Sequence, residues 1–120
     1  MKAVVFRVKG GNTYGWGHVV RMTTLAAFMK DKFDDLEINF VVEGDRKVSK
    51  YIQKSGFASC EIPFNLDIRK EKLWWRTKDS VELMVVDLIG LENSRVKVLR
   101  EKCRKLAVFS DMGKKYPLAD

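Results

Sequence analysis

The sequence predicts a single α/β domain with a Rossmann-like, three-layer architecture, in which a mainly parallel sheet of about five strands is covered by helices on both faces. Two observations carry this expectation. Five apolar, β-branched runs recur along the chain, "AVVFRV" (3–8), "INFVVE" (38–43), "SCEIPF" (59–64), "VELMVVDL" (81–88) and "KLAVFS" (105–110), and the stretches between them suit helices. Within the runs, Val4, Val5, Phe6 and Met84, Val85, Val86 are continuous rather than alternating, as in strands buried on both faces of a parallel sheet.

The connecting segments follow in order. Met22, Leu25, Ala26, Met29 and Phe33 lie along one face of a helix expected from about His18 to Phe33. After the second strand, "GDRKVSKYIQKSG" sets Val48, Tyr51 and Ile52 on one side of a helix and closes with Gly56 at a C-cap position. The stretch "NLDIRKEKLWWRTKD" (65–79) is read as helical, with Ile68, Leu73 and Trp75 as its apolar face. In "LENSRVKVLREKCRKL", Val96, Leu99 and Cys103 share the spacing of a fourth helix, for which Asn93 or Ser94 is available as a cap. The β-α-β-α-β-α-β-α-β order then needs only right-handed crossovers. No final helix follows the fifth strand, and residues 1–120 are expected to be the N-terminal half of a longer two-domain protein.

Composition narrows the class. With 120 residues, 46% of them hydrophobic and 32% charged, the chain can bury a working core. No apolar run approaches the ~20 residues of a membrane span, and the N-terminus lacks the form of a signal peptide, so a cytoplasmic location is expected. Cys60 and Cys103 are too few and too separated for a disulfide framework or a zinc site and are expected to be reduced and half-buried; neither a metal nor a cofactor is expected. The net charge of +7 suits anionic partners, but a solvated basic surface is the simpler reading.

Chemistry concentrates in the first βα turn, "KGGNTYGWGH", which holds four of the chain's eight glycines and its one histidine. In an open parallel sheet this turn is a usual place for phosphate or sugar contacts. Gly10, Gly11, Gly15 and Gly17 can adopt positive φ and admit a ligand to the backbone, while the first amides of the next helix offer donors to an anion. Two familiar fingerprints fail. A GxxxxGK[ST] loop would need Lys where Trp16 stands, and a GxGxxG loop would need Gly where Val20 stands. His18 remains, at the start of a helix whose positive end opposes an added proton; it reads either as a proton acceptor or as a residue that caps the helix.

At "FRVKGGNTYGWGHVVRMTTLA" the sequence resembles the nucleotide-sugar hydrolase family of pseudaminic acid biosynthesis and its spore-coat polysaccharide relatives. Phe6, Arg7, Gly10, Gly11, Gly15, Gly17, His18, Arg21, Leu25 and Ala26 match the family's opening motif. Further on, "MVVDLIGLENSRVKVLREKCRKLAVFSDM" is similar to a second family segment through Asp87, Leu91, Leu99, Arg100 and Asp111. The resemblance implies the N-terminal half of a glycosyltransferase-B architecture, whose second domain makes most nucleotide contacts. It implies that His18 is a general base activating water against the anomeric carbon of a UDP-sugar. It implies that Gly11, Gly15 and Gly17 shape the sugar and pyrophosphate side of the cleft, that Asn12 bonds a sugar substituent, and that Arg21 belongs to the substrate-binding set. Asp87 would orient His18 or bind a sugar hydroxyl; its other reading is a helix or loop cap. The chain departs from the family at Lys9, where the motif has Asp, and at Ser110, where the family has the first of two Asp residues. Leu88 and Ile89 also differ from the family pattern.

Two other classes stay open. The domain could bind a nucleotide or carbohydrate without catalysis, in keeping with Lys9 and Ser110. It could bind nucleic acid through "RKEKLWWRTK", where Arg69, Lys70, Lys72, Arg76 and Lys78 surround Trp74 and Trp75. At least one of those tryptophans is expected to pack a helix on the sheet, which disfavours the nucleic-acid reading.

Overall fold

The structure is a computed structural model that describes residues 2–11, 15–63, 66–88, 90–109 and 115–120. Its elements are β1 (Lys2–Gly10), α1 (Gly17–Lys32), β2 (Leu36–Gly44), α2 (Arg46–Lys54), β3 (Ala58–Ile62), α3 (Ile68–Arg76), β4 (Val81–Asp87), α4 (Asn93–Arg100) and β5 (Cys103–Val108). The five strands pair in the order β3-β2-β1-β4-β5, every pair parallel, so the expected Rossmann-like α/β sheet is present. Among the described residues no helix is long and apolar enough to cross a membrane.

Two cores follow from the strand period of two. Val4, Phe6 and Val8 point to one face, where they meet Val19, Met22 and Ala26 of α1 and Val48 and Ile52 of α2. Phe6 and Phe40 stand opposite each other in the β1–β2 register and stack at 4.9 Å between ring centroids, both fully buried. Each such side chain contributes about 1.5–3 kcal/mol by leaving water. Val5, Val41, Met84, Val86 and Leu106 point to the other face, against Trp75 of α3 and Val96 and Leu99 of α4.

Helix ends obey local chemistry where a short acid precedes them. Asp45 accepts hydrogen bonds from the amides of Lys47 and Val48 to start α2, and Asp67 accepts from Arg69 to start α3. Gly56, at φ +96°, follows the end of α2 as expected.

Several expectations need correction. Phe33 ends α1 in an extended conformation and is 59% exposed, so it has left the helix face that Met22 and Ala26 continue. Leu73 is exposed while Trp75 is buried, because five residues turn a helix about 140° beyond a full circle and carry Leu73 away from the Ile68 stripe. Cys103 opens β5 rather than continuing α4, since a turn at Glu101 and Lys102 interrupts the helical period. Glu92 occupies the N-cap position of α4 without a side-chain cap bond, and Asn93 and Ser94 lie inside the helix. Cys60 is exposed, not half-buried, whereas Cys103 is half-buried and its thiol is pushed up by burial.

Candidate functional site

The strand order reverses between β1 and β4. The chain leaves β1 toward α1 on one face and leaves β4 toward α4 on the other, which opens a crevice at the C-terminal ends of these two strands. Residues gathered there are placed by the sheet itself.

On the α1 face, glycine governs how near the helix can come. A Cβ on Gly10 would lie 2.5 Å from Cγ2 of Val19, so the last residue of β1 must be glycine for α1 to pack at this distance. Gly11 has φ +126°, and a Cβ there would lie 2.8 Å from Asp45 Oδ2 at the start of α2. Gly11 and Gly15 donate to each other's carbonyls at 3.1 and 2.6 Å and close the turn. Those two amides are therefore engaged within the turn. The donors it presents to a ligand come instead from the first turn of α1, which begins at Gly17. Of the four glycines expected to use positive φ, Gly11 and Gly15 do so, Gly10 serves close packing, and Gly17 is the first residue of the helix.

One turn of α1 places His18 and Arg21 together, and the last residue of β4 brings Asp87 to them. Asp87 is 1% exposed at its side chain. Its Oδ1 accepts from His18 Nδ1 at 2.6 Å, and Arg21 forks onto the same carboxylate, with Nε 3.2 Å from Oδ2 and Nη2 2.9 Å from each oxygen. Donation from Nδ1 selects the tautomer whose basic lone pair is on Nε2. The buried carboxylate fixes the ring's orientation and would stabilise the imidazolium formed when Nε2 accepts a proton. Arg21 acts against this, since it neutralises Asp87 and its Nη2 lies 3.2 Å from Nδ1. The guanidinium also sits over the ring of Phe109, 5.7 Å from its centroid, and so reaches the end of β5.

The structure thus brings His18, Arg21 and Asp87 into one hydrogen-bonded cluster, with Gly11, Gly15 and Gly17 in the turn leading to it. Asp87 bonds α1 side chains rather than capping a helix. Asn12, Ile89, Ser110 and Asp111 lie outside the described residues.

Lys9 turns to the opposite face, into an ionic network that sequence reasoning did not find. Arg7 is fully buried and bonds Glu43 at 2.8 Å and Glu71 at 3.1 Å. Glu71 also accepts from Trp75 Nε1 at 3.0 Å and from Arg95, whose Nη2 donates to the Leu66 carbonyl at 2.8 Å. Lys9 Nζ lies 3.3 Å from the second oxygen of Glu43. Burial by itself would raise the Glu71 pKa, but attraction to Arg7, hydrogen bonds from Arg7 and Trp75, and attraction to Arg95 outweigh it, and the carboxyl is held below the ordinary glutamate value. A signal for this network was present in "AVVFRV". An arginine amid a run expected to be buried on both faces requires carboxylate partners. Trp75 is 3% exposed and committed to Glu71, which removes it from any base-stacking surface.

Among the described residues no group of three or more His, Cys, Asp or Glu side chains is arranged to hold a metal ion. No protein-family model matches the chain, and no solved structure matches it. The chain is similar to an uncharacterized protein of Methanocaldococcus jannaschii, at 32% identity over 102 residues that make up 85% of this chain and 20% of that protein. It therefore spans about a fifth of the length of the curated relative it matches.

Proposed function

We propose that this domain handles a nucleotide-sugar, as the base-bearing half of a UDP-sugar hydrolase or glycosyltransferase-type enzyme of surface polysaccharide or nonulosonic acid biosynthesis in the cytoplasm. The observation that carries the reading is the 2.6 Å pair of His18 and Asp87 at the switch point of the sheet, beside the helix start that can receive phosphate. The family resemblance of the glycine turn supports the choice of substrate class.

In this reading Nε2 of His18 takes a proton from water while the water oxygen bonds the anomeric carbon. The bond from that carbon to the phosphate oxygen breaks, its electron pair leaves with UDP, and Asp87 balances the imidazolium. The first-turn amides of α1 face the phosphate side, and a second domain completes the nucleotide site.

The test is calorimetric titration with UDP and with a UDP-N-acetyl sugar, alongside assays of UDP release by this chain and by a longer polypeptide that carries it. Sugar-dependent binding that survives His18→Gln, with UDP release that does not, is the expected result. A His18→Gln protein with full activity removes His18 from the mechanism, and absence of both binding and release sinks the nucleotide-sugar reading. The bidentate Arg21–Asp87 pair favours one alternative, a non-catalytic nucleotide- or carbohydrate-binding module, because it diverts the carboxylate from His18. Binding without release from any form of the protein would select that alternative.

A further inference from the structure

Across the sheet from His18, the C-terminal ends of β1, β2 and β4 enclose a cleft of about 240 Å³. Lys9, Glu43, Leu88, Gly90, Glu92 and Arg95 line it. Its size is below the ~300–1,000 Å³ of pockets that hold a whole ligand, so it suits one substituent of a larger molecule. Its walls are predominantly polar, and its charges are arranged by the network beneath.

Among the described residues that network joins three cations, Arg7, Lys9 and Arg95, to two carboxylates, Glu43 and Glu71. Arg7 and Glu71 are sealed from solvent, while the side chains of Lys9 and Arg95 keep 14% and 18% of their surface and reach the cleft. Glu43 also lines the cleft, but Arg7 and Lys9 both hold it. Among the described residues Arg95 is fixed by Glu71 and the Leu66 carbonyl, which engage two of its five N–H donors. Gly90 adopts φ +68° just before α4, so the cleft also adjoins the positive end of that helix. Glu92 is exposed at the rim and is the opposing charge.

We infer that this cleft is an anion subsite, in which Lys9 and Arg95 take a phosphate or carboxylate group of the substrate. Two pre-fixed cations above a dry ionic floor make charge-assisted hydrogen bonds without first being ordered. Capture of an anion here is independent of the hydrolase reading; only the identity of its source, nucleotide phosphate or acidic sugar, rests on it.

The experiment is a ¹H–¹⁵N NMR titration of the chain at fixed ionic strength, with sodium pyrophosphate, UDP and glucuronate in separate arms. The expected result is saturable movement of the Gly90, Leu91 and Glu92 amides, weakened roughly tenfold by Lys9→Gln and restored by Lys9→Arg. Glu92→Gln touches none of the buried pairs and is expected to tighten binding, which keeps the proposal testable if Lys9→Gln misfolds. Tighter binding of UDP assigns the cleft to the phosphates, and tighter binding of glucuronate assigns it to a sugar carboxylate. Binding of all three anions unchanged in both Lys9→Gln and Glu92→Gln, or no saturable shift in any arm, overturns the proposal. His18→Gln is expected to bind pyrophosphate in the cleft as the parent does; anion capture with no UDP release either from the unsubstituted chain or from a longer polypeptide that carries it discards the hydrolase reading and keeps the cleft.

Discussion

The two faces of the sheet meet the same crevice with opposite solutions to the problem of a buried carboxylate. On the α1 face, Asp87 is sealed but its partners are not: the side chains of His18 and Arg21 keep 17% and 41% of their surface. On the α3 and α4 face, Glu71 is sealed together with Arg7 and Trp75, and of its described partners Arg95 alone, at 18%, reaches solvent. A carboxylate whose partners face solvent can pass a change in charge to a ligand. One sealed against a fully buried cation, as Glu71 is against Arg7, cannot change charge without cost to the fold. The difference assigns proton transfer to the first face and stability to the buried Arg7–Glu71 pair of the second, where only the rim cations Lys9 and Arg95 can meet a ligand.

The largest expected effect tests the first half of that assignment. His18→Gln should lower UDP release about 10²–10⁴-fold, the usual contribution of a positioned general base. Its stability should change by less than about 1 kcal/mol, because Arg21 still satisfies Asp87. Kinetics and thermal melts on one preparation check both. A melting point that collapses with activity would place His18 among the structural residues and erase the comparison.

Glu71→Gln is the matching test on the other face. It leaves Arg7 with one carboxylate and Arg95 with none among the described contacts, and should cost about 3–5 kcal/mol in denaturant unfolding. The sign of its pH dependence also follows. Because folding lowers the Glu71 pKa, its contribution is fully present above the ordinary glutamate value of about 4.3 and is lost as pH falls through the lower, folded value. The parent should therefore lose stability on acidification below about pH 4.3 more steeply than Glu71→Gln. Parallel acid profiles would mean that Glu71 is not held as a charged group.

Much of the fold was legible in local pattern, and the reasons for the misses are physical. Apolar runs reveal strands because burial on both faces tolerates little else, and they located β1, β2 and β4 closely. Helical spacing found the Met22 and Ala26 face of α1 but could not say where each helix stops, so Phe33 and Cys103 were carried past real ends. His18 stood out because it follows a glycine turn on the ligand edge. Its partner Asp87, 69 residues away, came from resemblance rather than spacing. The Arg7 network was not found, because its carboxylates are 36 and 64 residues distant and only the parallel register brings them together.

Gly10→Ala probes how closely the turn ties α1 to β1. The new Cβ would meet Val19 Cγ2 at 2.5 Å, and relief requires α1 to shift, at a cost of about 1–3 kcal/mol. Val19→Ala removes the obstructing methyls, so the double variant should be less destabilised than the two single losses combined. Strict additivity in unfolding experiments would show that the glycine is not required by this contact.

The smallest expected effect separates burial from ion pairing as the cause of the contrast between the faces. Arg104 Nε lies 2.7 Å from Glu82 Oε1, closer than the 2.8 and 3.1 Å that separate Arg7 from Glu43 and Glu71, yet the two side chains are 67% and 32% exposed. Water screens such a pair, and ordering two long side chains offsets most of its attraction. Arg104→Gln should therefore change unfolding free energy by no more than about 1 kcal/mol, and by less still in high salt. A loss comparable to that of Glu71→Gln would mean that short ion pairs matter in this protein wherever they lie, and that the buried position of Arg7 and Glu71 is not what makes their face structural.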